Sequence, residues 1–368
     1  MKRFIGFEHG MGIGGWLTNY KRFNVLPRER QLCLTVGDME HFATYITEED
    51  IRYIAGLGMD HIRLGFDQIV FEESPYVYRE EIFEHIDRFI LWCKKYHLNI
   101  VLNMHKAVGN YCDIKEDVEL LEDEELQNRF IALWIAFEKR YENDNSIAFE
   151  LLNEVRNVDP QKWNLLAERA INELRKINKT RKIIIGSTCW NSPDTLKDLK
   201  IYDDENIIYT FHIYSPHEFT HQRGVLQASQ IFYNRIMPYP GDIERYRDFQ
   251  AVVHHKPVSY MGYDRMDIAY MRDVLKAAVD FTKQNPDKIL WCGEFGTIRH
   301  ADIKWRENWM RDVITILKEN DIPYCVWNYL STPNDGNRFS LVDDDHRKIL
   351  SEELAKIIRG EIDVKQAE

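Results

Sequence analysis

A closed (β/α)8 barrel of the TIM type, with a small helical insertion after its sixth strand, is the fold this α/β sequence predicts. Three observations point to it. Eight short apolar runs rich in β-forming residues end in polar side chains. A longer stretch with helical spacing follows each, and parallel strands separated by helices need a sheet covered on its outer face. The chain, at 368 residues, exceeds the ~250 that eight such units occupy.

The runs are Phe4–Phe7, His61–Leu64, Ile100–Met104, Ile147–Leu152, Lys182–Gly186, Ile207–Phe211, Ile289–Cys292 and Tyr324–Trp327. The amphipathic stretches are Glu48–Leu57, Glu80–Tyr96, Leu126–Tyr141, Gln161–Ile177, Ser192–Leu199, Ile268–Gln284, Lys304–Asn320 and Ser351–Arg359. Thr47-Glu48-Glu49-Asp50 and Ser192-Pro193-Asp194 carry helix-cap chemistry. A doubly wound open sheet is the runner-up. Two intervals outrun a simple connection: 8–46, before the first helix, and 213–267, after the sixth strand. Both begin where a strand ends, so both are expected to project from the catalytic face. The second, rich in aromatics and histidine, is expected to form a lid inserted in a single catalytic domain spanning 1–368.

Asp and Glu number 60 against 48 Lys and Arg, a net charge of -12, which argues against nucleic acid or an anionic membrane as partner. No apolar run approaches the ~18 residues of a membrane span. The start, Met1-Lys2-Arg3-Phe4-Ile5-Gly6-Phe7-Glu8, reaches an acid before a signal-peptide apolar stretch forms. The expected location is therefore cytoplasmic, or secreted had a leader been removed. The cysteines at 33, 93, 112, 189, 292 and 325 form no C-x-x-C pair and are expected to be free thiols. Of these, Cys93, Cys292 and Cys325 sit in apolar runs, where a thiol acts as a small hydrophobe. The oligomeric state is not legible in one chain.

In a barrel the carboxyl ends of the strands converge on one cavity. Those ends carry Arg63, His105, Asn153-Glu154, His212 with Tyr214, Glu294 and Trp327-Asn328. Glu154 and Glu294 each end an apolar strand, the fourth and the seventh, on opposite sides of a narrow barrel. Two carboxylates flanking one bond are the machinery of glycoside hydrolysis. A separation of ~5–5.5 Å gives a covalent, retaining route and ~6.5–9.5 Å gives inversion. Arg63 would favour an ionised partner carboxylate, and the Tyr214 hydroxyl would hold the same group by a hydrogen bond. Asn153 offers an amide to a sugar hydroxyl, and Trp327 a flat face to a pyranose ring. Trp190, after the fifth strand, reads equally as a further sugar platform or as rim packing.

In these residues and their flanks the chain resembles glycoside hydrolase family 5, the cellulase A type. The matching stretches are Gly10-Met11-Gly12-Ile13-Gly14-Gly15-Trp16-Leu17, His61-Ile62-Arg63-Leu64, Leu102-Asn103-Met104-His105, Leu151-Leu152-Asn153-Glu154, Phe211-His212-Ile213-Tyr214, Cys292-Gly293-Glu294-Phe295-Gly296 and Val326-Trp327-Asn328-Tyr329. They run in family order over nearly the whole chain. Within the 213–267 interval, Phe219-Thr220-His221-Gln222 and Tyr239-Pro240-Gly241 resemble compact bacterial endoglucanases with a helical subdomain there. The resemblance implies that Glu154 is the acid/base and Glu294 the nucleophile, with Arg63, His105, Asn153, His212, Tyr214 and Trp327 completing the inner shell. There are departures. Lys106 and Val108 stand where the family commonly has a histidine and a proline, Asn103 where an Asp is common, and Gly12 where an Asn is common.

Other motifs compete. His217-Glu218-Phe219-Thr220-His221 fits H-E-x-x-H, with Gly224 extending the match, but Gln227 stands where the long metalloprotease pattern needs a histidine. Pro216 and Gly224 leave barely two turns of helix. Gly10, Gly12 and Gly15 fit G-x-G-x-x-G, yet no helix follows at Trp16-Leu17-Thr18-Asn19-Tyr20. Asp343-Asp344-Asp345 lacks the glycine and distal glutamate of a calcium loop, and Asn178-Lys179-Thr180 is a glycosylation sequon.

The sequence is thus read as a retaining glycosidase, an endo-β-1,4-glucanase with β-glucan or oligosaccharide as partner and no metal or organic cofactor. Glu154, kept protonated by a less polar setting, donates to the leaving oxygen, and Glu294 attacks the anomeric carbon. The alternatives are an exo-acting β-glucosidase on short oligosaccharides, an endo-β-mannanase, and, more remotely, a non-catalytic sugar-binding barrel.

Overall fold

The computed structural model of the chain describes residues 2–19, 34–111, 118–332 and 335–362. Expectations for Tyr20, Cys33 and Cys112 lie outside them. Eight parallel strands close into a barrel: β1 (His9–Leu17), β2 (His61–Asp67), β3 (Asn99–Lys106), β4 (Ile147–Glu150), β5 (Ile183–Gly186), β6 (Ile207–Ile213), β7 (Ile289–Phe295) and β8 (Tyr324–Val326). β8 pairs back to β1, which leaves the barrel sheet without an edge. The helices Glu48–Gly56, Glu80–Lys95, Glu124–Tyr141, Pro160–Ile177, Ile303–Glu319 and Glu352–Ile358 keep close to their predicted spans. Ser192–Leu199 contains only a 3-10 turn, Pro193–Asp198, and the stretch 268–284 divides at Leu275 into two helices.

The first strand is the correction. Phe4–Phe7 is not a strand but a turn, with Gly6 at φ +80° and Phe7 N–H bonded to Phe4 O (3.0 Å). Phe4 and Phe7 stack on each other (4.3 Å) and plug the floor of the barrel together with Val101, Ala148, Ile184, Ile208, Ile289, Trp291 and Cys325. The strand is the glycine-rich His9–Leu17, so the first nine residues of the expected loop belong largely to the sheet. Its glycines have a steric cause. A Cβ at Gly12 or Gly14 would lie 2.7 Å from the Trp327 ring.

Period-two alternation decides what enters the barrel. Ile62 and Leu64 of β2, Ile100, Leu102 and Met104 of β3, and Phe149 of β4 pack outward in the main core under the helices. The alternate positions, His61 and Arg63, then Val101, Asn103 and His105, then Ala148 and Glu150, therefore point inward. They rise from an apolar floor to a polar layer. Between Ile213 and Ile268 lie the helices His217–Thr220, Ala228–Tyr233 and Ile243–His254, and a ribbon pairing Gly241–Asp242 with Arg265–Met266. Trp309 Nε1 donates to Ser215 O (3.0 Å) and Tyr239 OH to Asp312 (2.8 Å), tying this insertion to the helix after β7. Cys93, Cys292 and Cys325 are buried free thiols, and Cys189 is a partly exposed one. Among the described residues no helix is long and apolar enough to cross a membrane.

Candidate active site

The polar layer is centred on Arg63. Its guanidinium is fully buried and grips Glu150 with two bonds, Nε to Oε2 (2.6 Å) and Nη2 to Oε1 (2.9 Å). Nη2 also donates to Asn153 Oδ1 (2.6 Å), and Nη1 to Glu294 Oε2 (2.5 Å). Burial works against the cation, but the charges of Glu150 and Glu294 outweigh it and raise its pKa further. The planar fork thus fixes three side chains from two strand ends, those of β4 and β7, at once.

Glu294 reaches this cluster through a bulge. Leu290 and Cys292 pack outward in the main core, and strict alternation would send Glu294 out as well. The register between β7 and β6 instead shifts: Cys292 pairs with Phe211, and Glu294 with His212. The extra residue is Gly293, whose Cβ would lie 2.4 Å from Thr210 Oγ1 and 2.9 Å from the Trp291 ring. Only glycine fits there, and the bulge re-aims the carboxylate into the cavity. Its other oxygen, Oε1, accepts from Tyr214 OH (2.7 Å). Burial and the adjacent Glu294 charge push the phenol pKa well above its ordinary value, so this hydroxyl keeps its proton and donates.

Glu154 stands opposite, four residues beyond the end of β4. Asn191 Nδ2 faces His212 Nε2 (3.2 Å), which makes that nitrogen the acceptor and places the proton on Nδ1. His212 Nδ1 therefore donates to Glu154 Oε1 (2.9 Å). Burial drives the imidazole pKa down to about 4, so it faces Glu154 as a neutral ring. One carboxylate is paired with a guanidinium, the other with a neutral donor. Oxygen atoms of Glu154 and Glu294 lie within 4.8 Å of each other, with His212 inside the same limit. Two carboxylates and an imidazole could ligate a cation, but the Arg63 guanidinium already occupies the position of positive charge beside Glu294.

Both glutamates line a cleft of about 750 Å³ with His105, Asn153, His212, Tyr214 and Trp327. Trp327 lies parallel to His105 (5.3 Å, 11°) against the glycines of β1. His105 Nδ1 donates to Asn103 Oδ1 (3.0 Å), a role the amide fills as an aspartate would. Trp190 is at the rim, 42% exposed, with the Arg156 guanidinium 5.3 Å over its ring. Cys189, Trp190 and Asn191 all have left-handed backbone, φ 54°, 57° and 56°. Such a run outside glycine is costly, and here it turns Asn191 inward while Trp190 stays at the mouth.

The structure thus brings together Glu154, Glu294, Arg63, His105, Asn153, His212, Tyr214 and Trp327, and places Trp190 at the rim of the same cleft. It adds two residues absent from the sequence-based set. Glu150 had a legible signal, a charge in phase with inward-facing Ala148. Asn191, which also donates to the Asn153 carbonyl, had none, because its position depends on the left-handed turn. The other motifs have structural explanations. Glu218 of H-E-x-x-H turns away to Tyr260 and Gln250, while His217 and His221 stack on each other (4.8 Å). Asp343 accepts from the backbone N–H groups of Asp345, His346 and Lys348 as a turn. Asn178 is buried and bonded to Glu138 (2.9 Å).

The family described as Cellulase (glycosyl hydrolase family 5) matches residues 28–332. Endoglucanase C of Acetivibrio thermocellus is 39% identical over 361 residues, covering 96% of this chain and 98% of its own length. Cellodextrinase A of Ruminococcus flavefaciens is 28% identical over 327 residues, covering 88% and 85%. Among solved structures, Cel5A of Thermotoga maritima in complex with cellobiose is similar with a TM-score of 0.72 at 24% identity, covering 96% and 97%. The same protein in complex with mannotriose gives 0.71. At that identity the likeness is one of fold.

Proposed function

The chain belongs to the cellulase family, glycosyl hydrolase family 5, and from that premise we propose that it is a retaining endo-β-1,4-glucanase working through Glu154 and Glu294. The observation that carries the reading is the approach of their carboxylate oxygens to within 4.8 Å, the narrow spacing of a double displacement. Glu294, anionic between Arg63 and Tyr214, attacks the anomeric carbon. Glu154 gives its proton to the glycosidic oxygen as the bond to the leaving chain breaks. A glycosyl ester on Glu294 results. Glu154 then takes a proton from water, which attacks the same carbon and releases the sugar with its configuration retained. Trp327 supports the ring at the reacting centre, and the Asn153 amide, one N–H of which faces His105 Nε2 (3.4 Å), offers its other N–H to the neighbouring hydroxyl. Trp190 serves as a platform for the leaving side, because its backbone N–H donates to the carbonyl of Val155, the residue after Glu154 (2.8 Å).

Two variants test the roles. Glu294→Ala should abolish turnover of every substrate. Glu154→Ala should lose polysaccharide hydrolysis but keep the first step on a nitrophenyl glycoside, whose leaving group needs no proton. Equal loss on both substrates would overturn the acid/base assignment. Sizing the products of cello-oligosaccharides and soluble β-glucans separates endo from exo action: a ladder of lengths marks the former, glucose alone the latter. A mannan arm belongs in the same experiment, since the neighbour of like fold has been solved with both cellobiose and mannotriose.

A further inference from the structure

Gly224, which closes the H-E-x-x-H-x-x-G stretch, has no part in the reaction proposed above, yet its surroundings are built around it. Arg223 before it has φ +58°, and Gly224 N–H closes the turn on His221 O (3.0 Å). A Cβ on Gly224 would lie 2.7 Å from Asn337 Oδ1. Its absence lets that carboxamide oxygen reach the next two amides, accepting from Val225 N–H (2.7 Å) and Leu226 N–H (3.0 Å). Asn337 is itself fixed, its N–H donating to Asp335 Oδ1 (2.8 Å), while the neighbouring Arg338 carbonyl accepts from Arg299 N–H (2.7 Å). The segment after β8 therefore clamps a turn of the insertion 112 residues away in sequence.

What the clamp holds is apolar and in water. Val225 is 37% and Leu226 51% exposed, and both line the same cleft as the two glutamates. Ordering branched apolar side chains in solvent buries little surface and gives up chain freedom, so it brings the fold no net gain. The arrangement gains only when an apolar face covers it, and the C–H face of a pyranose ring is such a surface. We propose that Val225 and Leu226 form a distal sugar-binding edge for a β-glucan chain, beyond the units at the scissile bond, and that Asn337 is the positioning residue for it. The edge makes the enzyme prefer long chains over short ones. This deepens the glucanase reading and rests on it.

The test compares kcat/KM for cellohexaose with that for nitrophenyl β-cellobioside, which reaches only the central subsites. Leu226→Ser and Asn337→Ala should each lower that ratio about tenfold, chiefly through KM for cellohexaose. Asn337→Asp, which still accepts both amides, should restore it. Leu226 is half exposed, so its variant folds and reads the contact directly even if Asn337→Ala does not fold. A ratio at the wild-type value in Leu226→Ser, or equal losses on both substrates, overturns the proposal. Should the wild type hydrolyse neither substrate, the glucanase reading falls first and takes this inference with it.

Discussion

Arg63 carries two duties that a substitution can separate. It neutralises Glu150, which is fully buried, and it holds Glu294 in place for attack. Removing one partner of a buried ion pair leaves an uncompensated charge and costs about 3–5 kcal/mol. Arg63→Met should therefore lose that much stability in denaturant titration and nearly all turnover. Adding Glu150→Leu should return most of the stability, since an apolar pair can replace a buried ionic one, but none of the activity. Recovery of turnover in the double variant would mean that the guanidinium is structural only. Tyr214 is the gentler probe. Tyr214→Phe deletes one donor to Glu294 while Arg63 keeps the other. We expect kcat to fall by about 10²-fold with the melting temperature almost unchanged. A variant with wild-type kcat would show that Arg63 alone suffices to orient the carboxylate.

At the scale of the element, β7 makes the corresponding point about backbone. The side chain of Glu294 faces the cavity because one residue is inserted at Gly293, and the space there excludes a methyl group. Gly293→Ala should force Thr210 or Trp291 aside and misplace the nucleophile by a fraction of an ångström to an ångström. A shift of that size costs about 10²-fold in turnover. The checks are kcat on a nitrophenyl glycoside and thermal unfolding. Loss of stability with kcat intact would sink the claim that the bulge aims the carboxylate. The same reasoning explains what the sequence revealed of the fold. Amphipathic periodicity placed the helix Glu80–Lys95 almost residue by residue, because its apolar face is packed and its ends are marked by charge. β1 escaped the same reading because glycines required by Trp327 erase the β-propensity signal, while Phe4 and Phe7 mimic a strand in sequence and plug the floor instead. The strand-end residues of the site were legible, since a polar group ending an apolar run has few places to go. The bulge at Gly293 and the left-handed turn at Asn191 were not, because both are set by contacts with distant elements.

For the whole molecule the consequence is a pH dependence of stability. Burial holds His212 at a pKa of about 4 and pushes His221 well below the ordinary 6.5. Each is neutral when folded and takes up a proton more readily when unfolded. The unfolded state therefore binds more protons between pH 4 and 6.5, and stability rises with pH across that window. For His212 the difference is about 3 kcal/mol. One group opposes this. Burial raises Asp312 from 3.8 to about 6, despite the hydrogen bond from Tyr239, so it is protonated when folded. Its contribution is present at low pH and lost as pH rises through 6, by an amount close to that of His212 with the sign reversed. The two nearly cancel, and His221 decides the outcome. The melting temperature should climb from pH 4.5 to 6.5. Asp312→Asn, which keeps an acceptor for Tyr239 but cannot titrate, should steepen the climb, and His221→Asn should flatten it. Parallel curves for wild type and Asp312→Asn would show that this carboxyl does not titrate in the window. A flat curve in both would show that the buried histidines are not held neutral, and with that the tautomer assigned to His212 beside Glu154 would lose its basis.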